Sequence, residues 1–249
     1  MATARSASAG KPASTTAKKA RKPSVKEQQR AEKMEQILDA AERLFALRGL
    51  YNVTLKDIAT DIGVHHTLLN YYFSDKDKLF GAVLSRRASE TIGRRMQAMD
   101  AHDAETDGKP TVEGALHAFL DTDLDLYSQG GESWKYYGMI GGQLSNTVFG
   151  GELMDQNFDP VVLRLIALLR KAIPGSTDED LFWGYHFVTG ALMLTLSRTG
   201  RIDRLSGGVC SSDDFGSIRD RMARFMAAGF REICAQRAEE RAPSSGKEG

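Results

Sequence analysis

Residues 37–80 read ILDAAERLFALRGLYNVTLKDIATDIGVHHTLLNYYFSDKDKLF, and this stretch decides the fold. At its centre Ile58-Ala59 is followed by Gly63-Val64 and then by a short polar and aromatic run. The small Ala59 lets two helices approach closely. Gly63 supplies a turn conformation that a residue with a Cβ resists. Ile58, Ile62, Val64 and Leu69 fall where each helix must bury apolar atoms, and the polar residues between Val64 and Phe73 face outward. This is the pattern of a helix-turn-helix, which makes duplex DNA the first partner to consider.

Upstream, Ser24 and Glu27 form a capping box just after Pro23. The helix they open carries Met34, Leu38, Ala41 and Phe45 on one face, with Ile37 and Leu44 flanking, and Gly49 ends it. Thr54 caps the second helix, and Asp57 sits well near its positive end. A long amphipathic helix starts near Ser74-Asp75 and carries Leu79, Phe80, Val83, Leu84, Ile92, Met96 and Met99. It joins this module to the remainder. The polar stretch 101–109, ending at Pro110, reads as a linker or loop.

From Thr111 onward every persistent apolar pattern is helical, over 112–128, 134–145, 161–173, 181–198 and 215–238. Asp159-Pro160 reads as a cap followed by the first helical residue, and Ser176 with Glu179 as another capping box. There is no alternating strand pattern of useful length. The expectation is an all-α chain in four parts. Residues 1–23 form a disordered basic tail, either solubilising or an arm that lies along DNA, 24–80 a three-helix DNA-binding domain, 81–240 a helical ligand-binding and dimerisation domain, and 241–249 a disordered tail.

The landmarks ILDAAERLFALRGL, TLKDIATDIGV, TLLNYYF and SDKDKLF resemble the N-terminal DNA-binding domain of the TetR family of transcriptional regulators. The resemblance implies a homodimer, most often a repressor, on a pseudo-palindromic operator. It departs from the family pattern at His65, where Ser is usual, and at Asn70, where an aromatic is common. Residues at the start of a recognition helix meet base edges in the major groove. His65, His66, Thr67 and Asn70 are therefore the candidate readers, and Asn can hydrogen-bond adenine bidentately. Tyr71 and Tyr72 suit phosphates at the groove edge. Lys76 combines a cation with the free amides of a helix start. Thr54 and Lys56 at the second helix start are candidates for the opposite phosphate wall or a base edge. In similar proteins these positions touch DNA.

The region 132–158 mixes large side chains with glycines, a combination suited to lining an internal cavity for an apolar effector. Candidate lining residues are Trp134, Tyr137, Phe149, Phe158 and Trp183, with Gln143 and His186 orienting the ligand. Plain core packing is the competing reading of the same residues. The helix over 181–198 is apolar around most of its circumference, so it is buried on more than one side. Leu192 and Leu196, with Met222, Phe225 and Phe230 of the last helix, are the candidates for a four-helix dimer interface; packing within one chain is the alternative. FDPVVLRLIALLRKAIPG and DEDLFWGYHFVTGALMLTLSRTGRIDRLSGG are similar to the C-terminal domain of a TetR branch with PsrA-like regulators. That similarity implies a dimerising domain and a fatty-acid-like effector.

The 249 residues carry no net charge, but residues 1–87 hold 16 Lys and Arg against 9 Asp and Glu. The front of the chain is basic and the back acidic, which suits a protein with one end on a phosphate backbone. Cys210 and Cys234 lie far apart, without metal spacing, as expected in a reducing cytosol. Adjacent His65 and His66 on a helix diverge by about 100° and make a poor metal site. No nucleotide-binding, nucleophile-elbow or zinc-protease motif occurs. Asp121, Asp123 and Asp125 alternate on a helix and make a poor catalytic pair. The chain therefore reads as a cytoplasmic regulator, nucleoid-associated when DNA-bound. It needs no cofactor or metal, has no membrane segment, and is not an enzyme. The alternative is an effector-independent architectural protein that binds DNA non-specifically.

Overall fold

The computed structural model describes residues 24–145 and 147–241, with side chains except at Phe149, Gln156 and 236–241. The tail expected at 1–23, most of that at 241–249 and the Phe149 side chain lie outside the described residues. Among those described, every regular element is helical.

The first module contains α1 (Val25–Arg48), a 3-10 turn (Leu50–Asn52), α2 (Leu55–Asp61) and α3 (His66–Tyr72). The Ser24–Glu27 capping box opens α1: the Ser24 amide donates to Glu27 Oε2 at 2.6 Å, and the Glu27 amide donates to Ser24 Oγ at 3.3 Å. Thr54 and Asp57 repeat the arrangement at α2. Between α2 and α3, Gly63 lies at φ +67°, in the left-handed region. Ile37, Leu44, Phe45, Val53, Ile58, Ala59 and Leu69 are buried, and the Phe45 ring meets Phe80 of the following helix edge-on at 5.2 Å.

Next comes α4 (Lys76–Glu105), capped by Asp75. It runs well into the stretch expected as a linker. The chain turns only afterwards, with Asp107 and Gly108 at positive φ. Leu79, Phe80, Val83 and Leu84 belong to one buried cluster that continues through Leu116, Leu120, Leu165 and Leu192. No break in packing marks residue 80, so α4 is shared by both halves.

The second half is α5 (Val112–Gln129), α6 (Gly131–Leu144), α7 (Val148–Ala172), α8 (Asp178–Leu196), a short α9 (Arg201–Leu205) that the sequence reading did not contain, and α10 (Phe215–Arg241). Two expected helix starts are corrected. Pro160 lies inside α7, which begins at the Thr147 cap. Apolar side chains on both sides of Pro160 hold the helix together: Leu153, buried in part, before it, and Val161 and Leu165 after it. The cap of α8 is Thr177 with Asp180, one residue beyond the expected Ser176–Glu179 pair.

Helices α8 and α10 pack side by side. Gly184 sits against the Phe230 ring, where a Cβ would overlap it. Leu192, Leu196 and Phe230 are therefore interior residues of one chain and not interface residues. The opposite face of α8 is the open one: Trp183, Phe187 and Leu194 are 53%, 52% and 69% exposed, and Phe225 of α10 is 74% exposed. Met222 lies between, half-buried against the core.

Candidate nucleic-acid interface and effector cavity

The α3 helix presents its polar edge because Leu69 anchors it inward and Gly63 sets its direction. Lys56, His65, His66, Thr67, Asn70 and Tyr71 are exposed, and Tyr72 is half-buried. His65 is the helix cap: its Nδ1 lies 2.9 Å from Thr67 Oγ1 and 3.5 Å from the Thr67 amide. The imidazole thus does the capping that a Ser hydroxyl does elsewhere. Because His65 precedes the helix, the helical divergence argument does not apply, and the two histidine rings approach to 4.4 Å. No group of three potential metal ligands exists among the described residues.

Two expected contacts are held by the protein itself. The Thr54 hydroxyl donates to Asp57 Oδ2 and accepts from the Asp57 amide. Lys76 Nζ donates to the Leu50 carbonyl at 2.8 Å and lies 6.0 Å from the Tyr51 ring, tying the 3-10 turn to α4. Arg30, which sequence reasoning missed, has its guanidinium 5.9 Å from the rings of both Tyr71 and Tyr72. Its signal was the lack of an acid nearby on the first two turns of α1, apart from the capping Glu27.

Five helices, α4 to α8, enclose a cavity of about 40 Å³. Of the candidate pocket residues Tyr137 and Phe158 line it, together with Phe119, Met154, Tyr185 and Met193, and so do the candidate interface residues Leu192 and Leu196. Trp134 lies behind the wall, edge-on to Tyr127 and Tyr137 at 5.9 and 5.8 Å. Trp183 and His186 are outside, on the exposed face of α8. Gln143 is also outside: its amide donates to the Ala46 carbonyl of α1 at 2.9 Å.

The cavity also contains a pair that sequence reasoning missed, Arg95 of α4 hydrogen-bonded to Asp123 Oδ2 of α5, each side chain only 5% exposed. The Phe119 ring covers the guanidinium at 4.3 Å. Burial pushes the Asp123 carboxyl up, against the pull of Arg95. Burial likewise raises the Tyr127 and Tyr137 hydroxyls. Arg95 Nε and Asp123 Oδ1 are buried without a hydrogen-bond partner, and the buried Tyr137 hydroxyl has Thr91 beside it. The alternation of Asp121, Asp123 and Asp125 was the available signal. Asp123 turns inward, while Asp121 and Asp125 share Arg219 outside.

Helix α6 lies between the cavity and α1. Tyr137, Gly138 and Gly141 face the cavity. On its other side Ser133 donates to the Glu42 carboxylate of α1 at 2.9 Å. Glu42, 2% exposed, also accepts from Arg86 at 2.8 Å and Arg87 at 2.9 Å, both on α4. The Arg87 guanidinium lies 4.9 Å from the Trp134 ring. A separate open groove of about 520 Å³, lined by Leu194, Ile202, Leu205, Val209 and Ile218, adjoins the exposed face of α8. No described helix is long and apolar enough to cross a membrane.

Two family models match the chain. "Bacterial regulatory proteins, tetR family" covers residues 37–83, and "Tetracyclin repressor-like, C-terminal domain" covers 117–229. The HTH-type transcriptional activator FasR of Mycolicibacterium smegmatis is 33% identical over 92 residues, which are 37% of this chain and 41% of that protein. The match thus spans about two fifths of the relative's length. Among solved structures, the regulator FadR from Bacillus subtilis in complex with stearoyl-CoA has a TM-score of 0.57 at 14% identity, over 78% of this chain and 98% of that one. SmeT, repressor of a Stenotrophomonas maltophilia multidrug efflux pump, has a TM-score of 0.52 at 20% identity, over 76% and 87%. At these identities the two structures establish a shared fold.

Proposed function

The chain belongs to the TetR family of transcriptional regulators, and from that premise we propose that it is a homodimeric, sequence-specific repressor released by a small, largely apolar effector. The carrying observation is α3, whose exposed polar edge of His66, Thr67 and Asn70 stands on a buried three-helix core. Lys56 and Arg30 flank this edge and supply phosphate contacts. Two such helices, about one DNA turn apart, fit a pseudo-palindrome.

Pairing of the exposed α8–α10 face with a second copy supplies the twofold axis. It removes Trp183, Phe187, Leu194 and Phe225 from water together, which isolated exposed residues would not need. The effector enters the cavity between α4 and α8. The FadR structure bound to stearoyl-CoA supports a ligand with an alkyl chain and one polar end. A cavity of 40 Å³ holds far less than such a ligand, so binding must displace walls. Displacement of α4 or α6 is passed to α1 through Glu42 and through Gln143, which changes the spacing of the two recognition helices. Moving the population from 1:99 to 99:1 needs about 5.5 kcal/mol of differential affinity. The protein acts in the cytoplasm, at the nucleoid when DNA-bound.

Selection of random duplexes by the purified protein, with titration of the winner at two salt concentrations, tests this. A recovered palindrome bound far more tightly than scrambled DNA is expected. Purely salt-sensitive binding to every duplex would sink it in favour of an architectural protein.

A further inference from the structure

The cavity is lined mostly by carbon, yet its one charged feature is already neutral. Arg95 and Asp123 satisfy each other through Nη2 and Oδ2. Two polar atoms remain without partners in the same wall: a donor, Arg95 Nε–H, and an acceptor, Asp123 Oδ1; the Tyr137 hydroxyl, with Thr91 beside it, lines the same cavity and can do either. Unpaired buried groups are costly, and a ligand that satisfies them gains what their burial loses.

The net charge at this point selects the ligand. A carboxylate brought beside the pair would compete with Asp123 for one guanidinium and leave a negative charge buried. An ammonium would leave a positive one. A neutral group avoids both. Of neutral groups, a hydroxyl donates to Asp123 Oδ1 and accepts from Arg95 Nε with one oxygen, whereas an ether oxygen can only accept. Building on the effector-responsive reading above, we propose that Arg95, Asp123 and Tyr137 form a head-group subsite for an uncharged amphiphile bearing a hydroxyl, its apolar body lying against Phe119, Met154 and Phe158.

The movable wall is the first half of α7. Pro160 has no N–H, so the carbonyl of residue 156 lacks its helical donor, and the segment carrying Met154 and Phe158 is less tightly tied to the rest of the helix. Met154 is also an adaptable side chain able to make room for an alkyl body.

Calorimetric titration of the full chain with decan-1-ol, decanoate, decylammonium and 1-methoxynonane tests the subsite. Decan-1-ol is expected to bind about ten-fold more tightly than each of the others, the worth of one well-made hydrogen bond. Equal or tighter binding of decanoate or the ether, or no binding of decan-1-ol, overturns the proposal. The double variant Arg95→Met/Asp123→Leu removes the pair without stranding either charge. It should stay helical and lose the alcohol's advantage; an advantage that survives in the folded variant overturns the assignment. If the double variant fails to fold, Tyr137→Phe decides: it should weaken decan-1-ol several-fold and leave the ether unchanged, and an unchanged alcohol affinity overturns the proposal. DNA affinity is measured in parallel without any probe. Absence of specific DNA binding defeats the regulator reading, while loss of alcohol selectivity alone defeats only the subsite.

Discussion

At the scale of single residues, the recognition edge separates two kinds of contact with different signatures. Asn70 is exposed on α3 and bears an amide suited to a base edge. Asn70→Ala should cost about 1–3 kcal/mol on the preferred site and flatten discrimination at one base position. Arg30 stands over the Tyr71 and Tyr72 rings. Arg30→Ala should weaken binding to all duplexes alike and lower the salt slope by about one unit. Competition titrations over a set of single-base variants at several salt concentrations check both. If Asn70→Ala weakened every site equally, the assignment of Asn70 to a base would fail. Residue types alone gave most of this edge, because a helix-turn-helix fixes which positions face outward. They did not give the states of Thr54 and Lys76, whose polar atoms are held by Asp57 and the Leu50 carbonyl. The Lys76 contact spans 26 positions in sequence and depends on how the 3-10 turn folds back on α4.

At the scale of elements, the helix starts of the DNA module carry a pH dependence. The Ser24 amide holds the Glu27 carboxyl below its usual value, the Thr54 hydroxyl does the same for Asp57, and the Lys78 amide does so for Asp75. A carboxyl with a lowered folded value adds stability above its unfolded value and loses it as the pH falls through the folded one. The starts of α1, α2 and α4 should therefore loosen below about pH 4. Amide exchange at Glu27, Asp57 and Lys78, followed downward in pH, should show faster opening there before α5 responds. Simultaneous opening of all helices would contradict a local role for the caps.

Helix boundaries were legible where a cap and an apolar period coincide, as at Ser24 and Thr54. They were misread at Pro160, because long-range packing of Val161 and Leu165 outweighs the local preference of proline for a helix start. The α8 helix was misread in orientation. Apolar residues surround it, so periodicity could not say which side faces inward. Gly184 does say, because only a side without a Cβ admits the Phe230 ring. Gly184→Ala should lower protomer stability by about 1–3 kcal/mol through overpacking. Gly93→Ala, with nothing within 4 Å of the added carbon, should gain a few tenths to about 1 kcal/mol in helix propensity. Paired denaturant melts check the contrast.

At the scale of the whole molecule, the neighbours Leu192 and Leu194 separate folding from assembly. They are two positions apart on α8 and point to opposite surroundings: Leu192 is 1% exposed, in the cavity wall, and Leu194 is 69% exposed, on the open face beside the 520 Å³ groove. Leu192→Ala removes buried methyl groups and should cost about 2–5 kcal/mol of stability, without altering how assembly depends on concentration. Leu194→Glu leaves the protomer core untouched and places a charge on the face proposed to receive the second copy. Sedimentation should find the Leu194→Glu chain monomeric at concentrations where the unaltered chain is a dimer, with its helicity retained. DNA affinity should then collapse towards the non-specific level, because one recognition helix alone cannot hold two half-sites. Trp183→Glu, on the same face, should behave alike. A Leu194→Glu chain that stays dimeric and binds its operator normally would move the twofold axis away from α8 and α10. The proposed coupling through Glu42 and Gln143 would survive that result, since both contacts lie within one protomer, but the geometry it alters would have to be sought on another face.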